Sequence, residues 1–186
     1  MDDVFRSYLD PSIRYVFSQS PARVRDRRDA ERDGLNCVTL AHLVIRDLFG
    51  YVLPAEFQSL ELFYDLDRFE PVPALAGLRA GDLVWLGTDR PRVRLEEFVP
   101  RYQGGELLNF GDFPVNHVAV CTGVRAAGHD LLLHASPVEG TTALWPLHRF
   151  RGHARYRVIY AIRRLRPDFR SQHGGAQERT ALGDAG

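Results

Sequence analysis

The stretch NCVTLAHLVIRDLFGYVLP, residues 36–54, decides the fold. Cys37, Leu40, Ala41, Val44 and Leu48 recur at the spacing of one helix face, which predicts a helix over 36–49. Gly50 stands where a C-terminal cap belongs, and Pro54 blocks any continuation. A cysteine in the first turn of a helix meets unpaired backbone N–H groups and the positive end of the helix dipole. Both favour a thiolate over a thiol, and the same N–H groups can donate to a tetrahedral oxyanion. The competing reading of Cys37 is packing, because free cysteines are among the most buried residues and this one is in phase with its helix's apolar face.

Downstream, EFQSLELFYDL predicts a short helix within 55–70. A turn at Ala80-Gly81 then leads into a strand over Asp82 to Leu86. An irregular stretch, 87–114, is long for a structureless connection and is expected to form one wall of a cleft. Strands are predicted at about 115–124, 130–135, 141–145 and 155–164. One principal helix followed by an antiparallel run of strands is an α+β layout. Upstream, residues 1–33 form a segment packing on or flanking the core. Their charge-dense part, PARVRDRRDAERD, interleaves arginines with acids and reads as a solvated helix face or surface loop. The folded domain spans 34–166, and the polar, Gly-rich tail 167–186 is expected to be disordered.

Two histidines change the weight of Cys37. Alternation along VNHVAVCTG puts Val118 and Val120 on one face and His117, Ala119 and Cys121 on the other. His134 sits in LLLHAS, on the following strand. A hairpin loop of even length around 125–129 places both histidines on one face, and an odd loop separates them. A cysteine nucleophile needs an imidazole to take and return its proton, and that imidazole needs a third group to fix its tautomer. Cys37, His117 and His134 supply those three roles in that order.

The composition narrows the classes. The chain has 186 residues, 45% hydrophobic and 26% charged, enough for one globular domain. Its 24 basic residues are all arginine and balance 24 acids, so the basic surplus of a nucleic-acid binder is missing. No segment approaches the roughly 18 apolar residues of a membrane helix. Met1 to Phe17 carries no apolar run of signal-peptide length, which predicts a cytoplasmic location, with non-classical delivery to another cell as the variant. Two cysteines without a CxxC pair give neither a disulfide framework nor a zinc ribbon. Phosphate-loop, HExxH, EF-hand and GxSxG motifs are absent from the sequence. No metal or organic cofactor is expected; a zinc site built from Cys37, His117 and His134 has suitable ligand types but no metal-like spacing.

Four segments together resemble the NlpC-type superfamily of papain-like cysteine peptidases, known for cutting bacterial cell-wall peptides. NCVTLAHLVIRDLFGYVLP resembles the nucleophile helix and LRAGDLVWLG the Gly-Asp strand entry. NHVAVCTG resembles the strand of the general base, and LLLHASPVEG, continuing to LWPLHRF, the strand of the third catalytic residue. The resemblance implies a papain-like fold with the nucleophile helix packed on an antiparallel sheet. It also implies Cys37 as nucleophile, His117 as base, His134 as orienting residue, and amide hydrolysis through an acyl-enzyme. The chain departs from the pattern at Asn36, where the family commonly has aspartate, and at Val38-Thr39, where it has a serine-glycine pair. The family's upstream tyrosine has no clear counterpart in RDRRDAERDGLN.

The expected function is therefore a cysteine peptidase or amidase acting on a peptide or small amide, with cell-wall-like peptides among the candidates. Transfer of the acyl group to an amine or alcohol is a second enzymatic reading, and a catalytically silent binding module with the same fold is a third. Cys121 reads as a packing residue, and His42 as solvent-facing. His129, His148, His153 and His173 have no evident partner, and Trp85 and Trp145 read as core or cleft-lining residues.

Overall fold

The computed structural model describes residues 1–170. Helices α1 (Asp3–Ser7) and α2 (Arg27–Asp33) precede the long helix α3 (Cys37–Phe49) and the short α4 (Ser59–Tyr64). Strands β1 (Phe69–Pro71) and β2 (Leu83–Gly87) follow. Then come the two-residue strands β3 (Tyr102–Gln103) and β4 (Glu106–Leu107). The chain continues through β5 (Val115–Ala126), β6 (His129–Ser136), β7 (Thr141–Pro146), α5 (Leu147–Gly152) and β8 (Val158–Leu165). The main sheet has six strands in the order β1-β8-β2-β5-β6-β7, every pair antiparallel. The α+β class is thus observed, with the cysteine-bearing helix packed against β5 and β6.

Each face of the sheet buries its own apolar layer. Val118, Val120, Leu133, Ala135, Leu83 and Trp85 pack on the side of α3 with Leu40, Ala41, Val44 and Ile45. Val84, Leu86, Ala119, Cys121 and Leu132 face the other way, against Trp145, Leu147, Phe150 and Tyr156. This is the alternation expected of a sheet covered on both faces. The N-terminal residues Phe5, Tyr8, Ile13, Val24 and Ala30 belong to the α3-side cluster.

Two irregularities in β5 shape the site. Opposite β2, Leu86 pairs with His117 and Gly87 with Val115, so Asn116 is an extra residue in a bulge. A Cβ on Gly87 would lie 2.1 Å from the Pro114 carbonyl oxygen, so this approach requires glycine. The bulge breaks the alternation: Val115 and Val118 share the α3 side, while Asn116 is exposed between them. Opposite β6, β5 takes four steps from Cys121 to Arg125 while β6 takes two from Leu132 to Asp130. The hairpin itself closes on two residues, Ala127 and Gly128, both with positive φ, between Ala126 and His129. That is the even loop, of a primed turn type suited to strand twist.

The Gly-Asp entry to β2 is a structural clamp. Asp82 is 1% exposed, caps the Arg79 N–H at 2.8 Å and accepts two hydrogen bonds from Arg164 of β8, at 2.8 and 2.6 Å.

Several elements differ from the sequence expectation. β1, the β3–β4 hairpin and α5 were not anticipated, and the last strand begins at Val158 rather than near 155. Pro167–Phe169 forms a 3₁₀ turn, with Phe169 packed on Tyr51 at 5.3 Å. The expected disordered tail therefore does not begin at Pro167, and its remainder, 171–186, lies outside the described residues.

Candidate active site

Asn36 caps the helix that carries Cys37. Its Oδ1 accepts from the N–H groups of Val38 and Thr39, at 3.0 and 2.9 Å, while Thr39 Oγ1 accepts from the Asn36 N–H at 2.7 Å. The cap departs from the expectation that the helix-start donors are free for an oxyanion: two of them are already committed. The N–H of Cys37 itself stays outside this cap. Asn36 Nδ2 also donates to the carbonyls of Phe17 and Gln19, at 3.2 and 2.7 Å, tying the 17–19 segment to the helix start.

Cys37 is half-buried on the floor of a cleft of about 530 Å³. Phe17, Gln19, Tyr102, Leu107 and Phe110 line the same cleft. The 87–114 connection thus does line the cleft. Its hairpin neck is closed by Asn109, which accepts from the Arg101 N–H at 2.8 Å and donates to the Val99 carbonyl at 3.0 Å.

His117 and His134 lie together on the α5 side of the sheet. His117 Nε2 and His134 Nδ1 are 3.0 Å apart, and the residues are 4% and 0% exposed. The bond occupies Nε2 of His117 and leaves Nδ1 as its free ring nitrogen. The His117 ring stacks on Tyr156 at 4.5 Å, and Tyr156 stacks in turn on His153 at 4.5 Å. His153, for which the sequence offered no partner, thus joins a three-ring stack.

Cys37 approaches this group from the α3 side. The β5–β6 ladder ends at Val120 and Leu133, and the N–H of Val118, the residue after His117, faces the sulfur. A charge on the sulfur also acts on the hydroxyls of Tyr15 and Tyr156. Among the described residues no hydrogen bond joins Cys37 to His117. Tyr15 is a site residue that the sequence did not reveal. It reaches the cleft through a single parallel bridge to Leu35, ahead of the arginine-rich α2.

Burial sets the electrostatics. The Cys37 thiol is pushed above its ordinary value by desolvation, which outweighs the opposing N–H groups of Val118, Val38 and Cys37. The helix-start donors expected to favour a thiolate are present, and burial works against them. Burial also pushes His117 down, helped by the nearby positive groups of His153 and Arg155, and pushes His134 down, with His117 next in weight. Burial thus favours the neutral form of all three groups. His42, expected to face solvent, is 7% exposed and pushed down to about 4 by burial, partly offset by a backbone hydrogen bond with Phe57. Cys121 is fully buried in the α5-side layer. No cluster of three or more metal-ligating side chains exists among the described residues.

No family model and no curated protein matches the chain. Among solved structures it is similar to a protein of Staphylococcus aureus subsp. aureus Mu50 described as similar to lipoprotein, NLP/P60 family. The two share 16% sequence identity with a TM-score of 0.47, over 89% of this chain and 42% of that one. The chain thus spans less than half of that neighbour's length. A likeness of this degree says nothing about activity, and the functional reading rests on the geometry of the site.

Proposed function

We propose that this chain is a papain-like cysteine hydrolase that cleaves a peptide or small amide through an acyl-enzyme, with Cys37 as nucleophile, His117 as base and His134 as its orienting partner. The observation that carries the reading is the 3.0 Å bond between His117 Nε2 and His134 Nδ1, one residue from the Val118 N–H that faces the Cys37 sulfur at the cleft floor. In this reading the thiol is deprotonated as it attacks. Its proton passes to Nδ1 of His117 and then to the leaving amine, and water releases the acyl group. The neutral forms that burial favours suit proton transfer during attack rather than a standing ion pair. The Cys37 N–H and the Tyr15 hydroxyl are the donors placed to meet the developing oxyanion.

A second reading is favoured by one specific observation, the lack of a Cys37–His117 hydrogen bond among the described residues, where His117 instead pairs with His134: a binding module that uses the same cleft without turnover. Incubation with activated thioesters and peptide amides, followed by intact-mass measurement, separates the two. A covalent acyl adduct on Cys37 that turns over in wild type and accumulates or fails in His117→Ala supports the hydrolase. Its absence on every substrate leaves the binding module. Added amine or alcohol nucleophiles report transfer, if acylated products replace the free acid. The cell-wall-like substrate and the cytoplasmic location are part of this proposal.

A further inference from the structure

His134 has one nitrogen that neither protein nor solvent satisfies. Its Nδ1 meets His117, but its Nε2 is buried with no hydrogen-bond partner. An unpaired polar atom in a dry interior calls for a reason. The neighbours of this ring are aromatic. Trp145 stands at 4.4 Å with an interplanar angle of 64°, and Phe150 at 4.8 Å and 66°, both in edge-to-face contact. Trp145 is itself held firmly. Its indole N–H donates to Glu139 Oε1 at 2.7 Å, and the Arg149 guanidinium lies 3.9 Å from the indole centroid while pairing with the same Glu139 oxygen at 2.8 Å.

The two neutral imidazoles can share their protons in two ways. In one, His134 Nδ1–H donates to His117 Nε2. His134 Nε2 is then a bare lone pair among aromatic rings, and His117 carries its own proton on Nδ1, so it has no lone pair left to act as a base. In the other, His117 Nε2–H donates to His134 Nδ1. His134 then carries its proton on Nε2, and His117 Nδ1 keeps its lone pair. Aromatic faces are electron-rich, so they attract an N–H and repel a lone pair. The second arrangement alone puts an N–H rather than a lone pair among these rings.

We infer that Trp145 is the positioning residue that holds His134 in its Nε2–H tautomer and thereby keeps the lone pair of His117 on Nδ1; this rests on the reading of His117 as the base. Trp145 touches no reacting atom. It acts through His134, and the Arg149–Glu139 pair holds its indole in place.

The test is side-chain nitrogen NMR on the full chain labelled with ¹⁵N-histidine, with His134 assigned by difference from His134→Asn. The wild type is expected to show a protonated Nε2 and an unprotonated Nδ1 at His134 near neutral pH. Trp145→Met keeps bulk but removes the aromatic face. It is expected to move His134 toward the Nδ1–H form and to slow Cys37 alkylation about threefold, the scale of one weak N–H···π contact. Trp145→Phe restores both. In the His134→Asn background, where no tautomer exists, Trp145→Met has no further effect on alkylation. An Nδ1–H form of His134 in wild type, or an unchanged tautomer in folded Trp145→Met, overturns the inference. The expected tautomers beside alkylation that ignores His117 support the tautomer assignment and contradict the base reading alone.

Discussion

His117 Nε2 lies 3.0 Å from His134 Nδ1 although the turn that joins their strands would, by itself, hold them far apart. The pairing of Ala126 with His129, continued regularly, sets His117 against Val138, four residues past His134 and about 13 Å along the strand. The bulge around Gly123 lets β5 gain two residues on β6. The ladder at Val120 and Leu133, continued in turn, sets His117 against Ser136, so that His134 becomes its diagonal neighbour, within side-chain reach. The bulge therefore aims the pair and the turn fixes only the face. Deleting two residues of the bulged segment 122–124 is expected to separate the imidazoles and abolish any dependence of Cys37 reactivity on His117. Unchanged dependence in a folded deletion variant would contradict this.

The clamp of Asp82 on Arg164 predicts a stability effect away from the cleft. Asp82→Ala leaves the mostly buried Arg164 guanidinium without its carboxylate and with only the Gly77 carbonyl as acceptor, and is expected to cost about 3 kcal/mol. Chemical denaturation gives the value directly, and a loss below about 1 kcal/mol would show that the pair is replaced by other contacts.

His42 predicts a pH dependence with a definite sign. Its folded-state value, about 4, lies below the ordinary histidine value of about 6.5, so the unfolded chain binds the extra proton between them. The contribution is fully present above about pH 6.5 and is lost as pH falls toward 4. His117 and His134, pushed the same way, add to the loss. His42→Leu is expected to flatten the stability profile between pH 6.5 and 4 by one proton, read from denaturation midpoints across that range. A profile parallel to wild type would contradict the buried neutral state.

The hairpin that lines the cleft predicts a separation of binding from chemistry. Removing the hairpin 102–107 takes Tyr102 and Leu107 from the cleft but leaves Cys37, His117 and His134 untouched. KM on a good substrate should rise at least several-fold, while alkylation of Cys37 by a small reagent stays within about twofold. A changed alkylation rate would mean that the hairpin supports the catalytic group itself.

Tyr15→Phe separates transition-state stabilisation from nucleophile activation. Loss of the hydroxyl is expected to lower kcat about tenfold or more with little change in KM, and to leave alkylation unaffected, because no oxyanion forms in that reaction. An unchanged kcat would remove Tyr15 from the chemistry.

What could be read in the sequence follows from how local each signal is. The helix over Cys37–Phe49 was legible because its apolar spacing and Gly50 stop lie within one window, whereas the capping role of Asn36 was not read. Parity allowed the two histidines to share a face only if the loop was even, and their distance depends on the bulge at Gly123, for which an isolated glycine in a strand is only a hint. β1 and the β3–β4 hairpin are two or three residues long, too short for alternation to register. Tyr15 comes to Cys37 through one long-range bridge, and nothing near either residue signals it. The burial of His42 and the desolvation of Cys37 are tertiary effects: a helix pattern gives the dipole but not the surroundings that oppose it.

Alkylation kinetics report whether His117 serves Cys37 as a base. The rate of Cys37 labelling by iodoacetamide is measured from pH 6 to 10 in wild type and in His117→Gln, with Cys121→Ser in both. With His117 acting as base, the wild-type rate at pH 7 is expected to be at least about tenfold above that of His117→Gln. The gap between the two narrows as pH rises and hydroxide takes over as the base. Rates that coincide across the whole range would contradict a working thiol–imidazole pair and leave the cleft as a binding site.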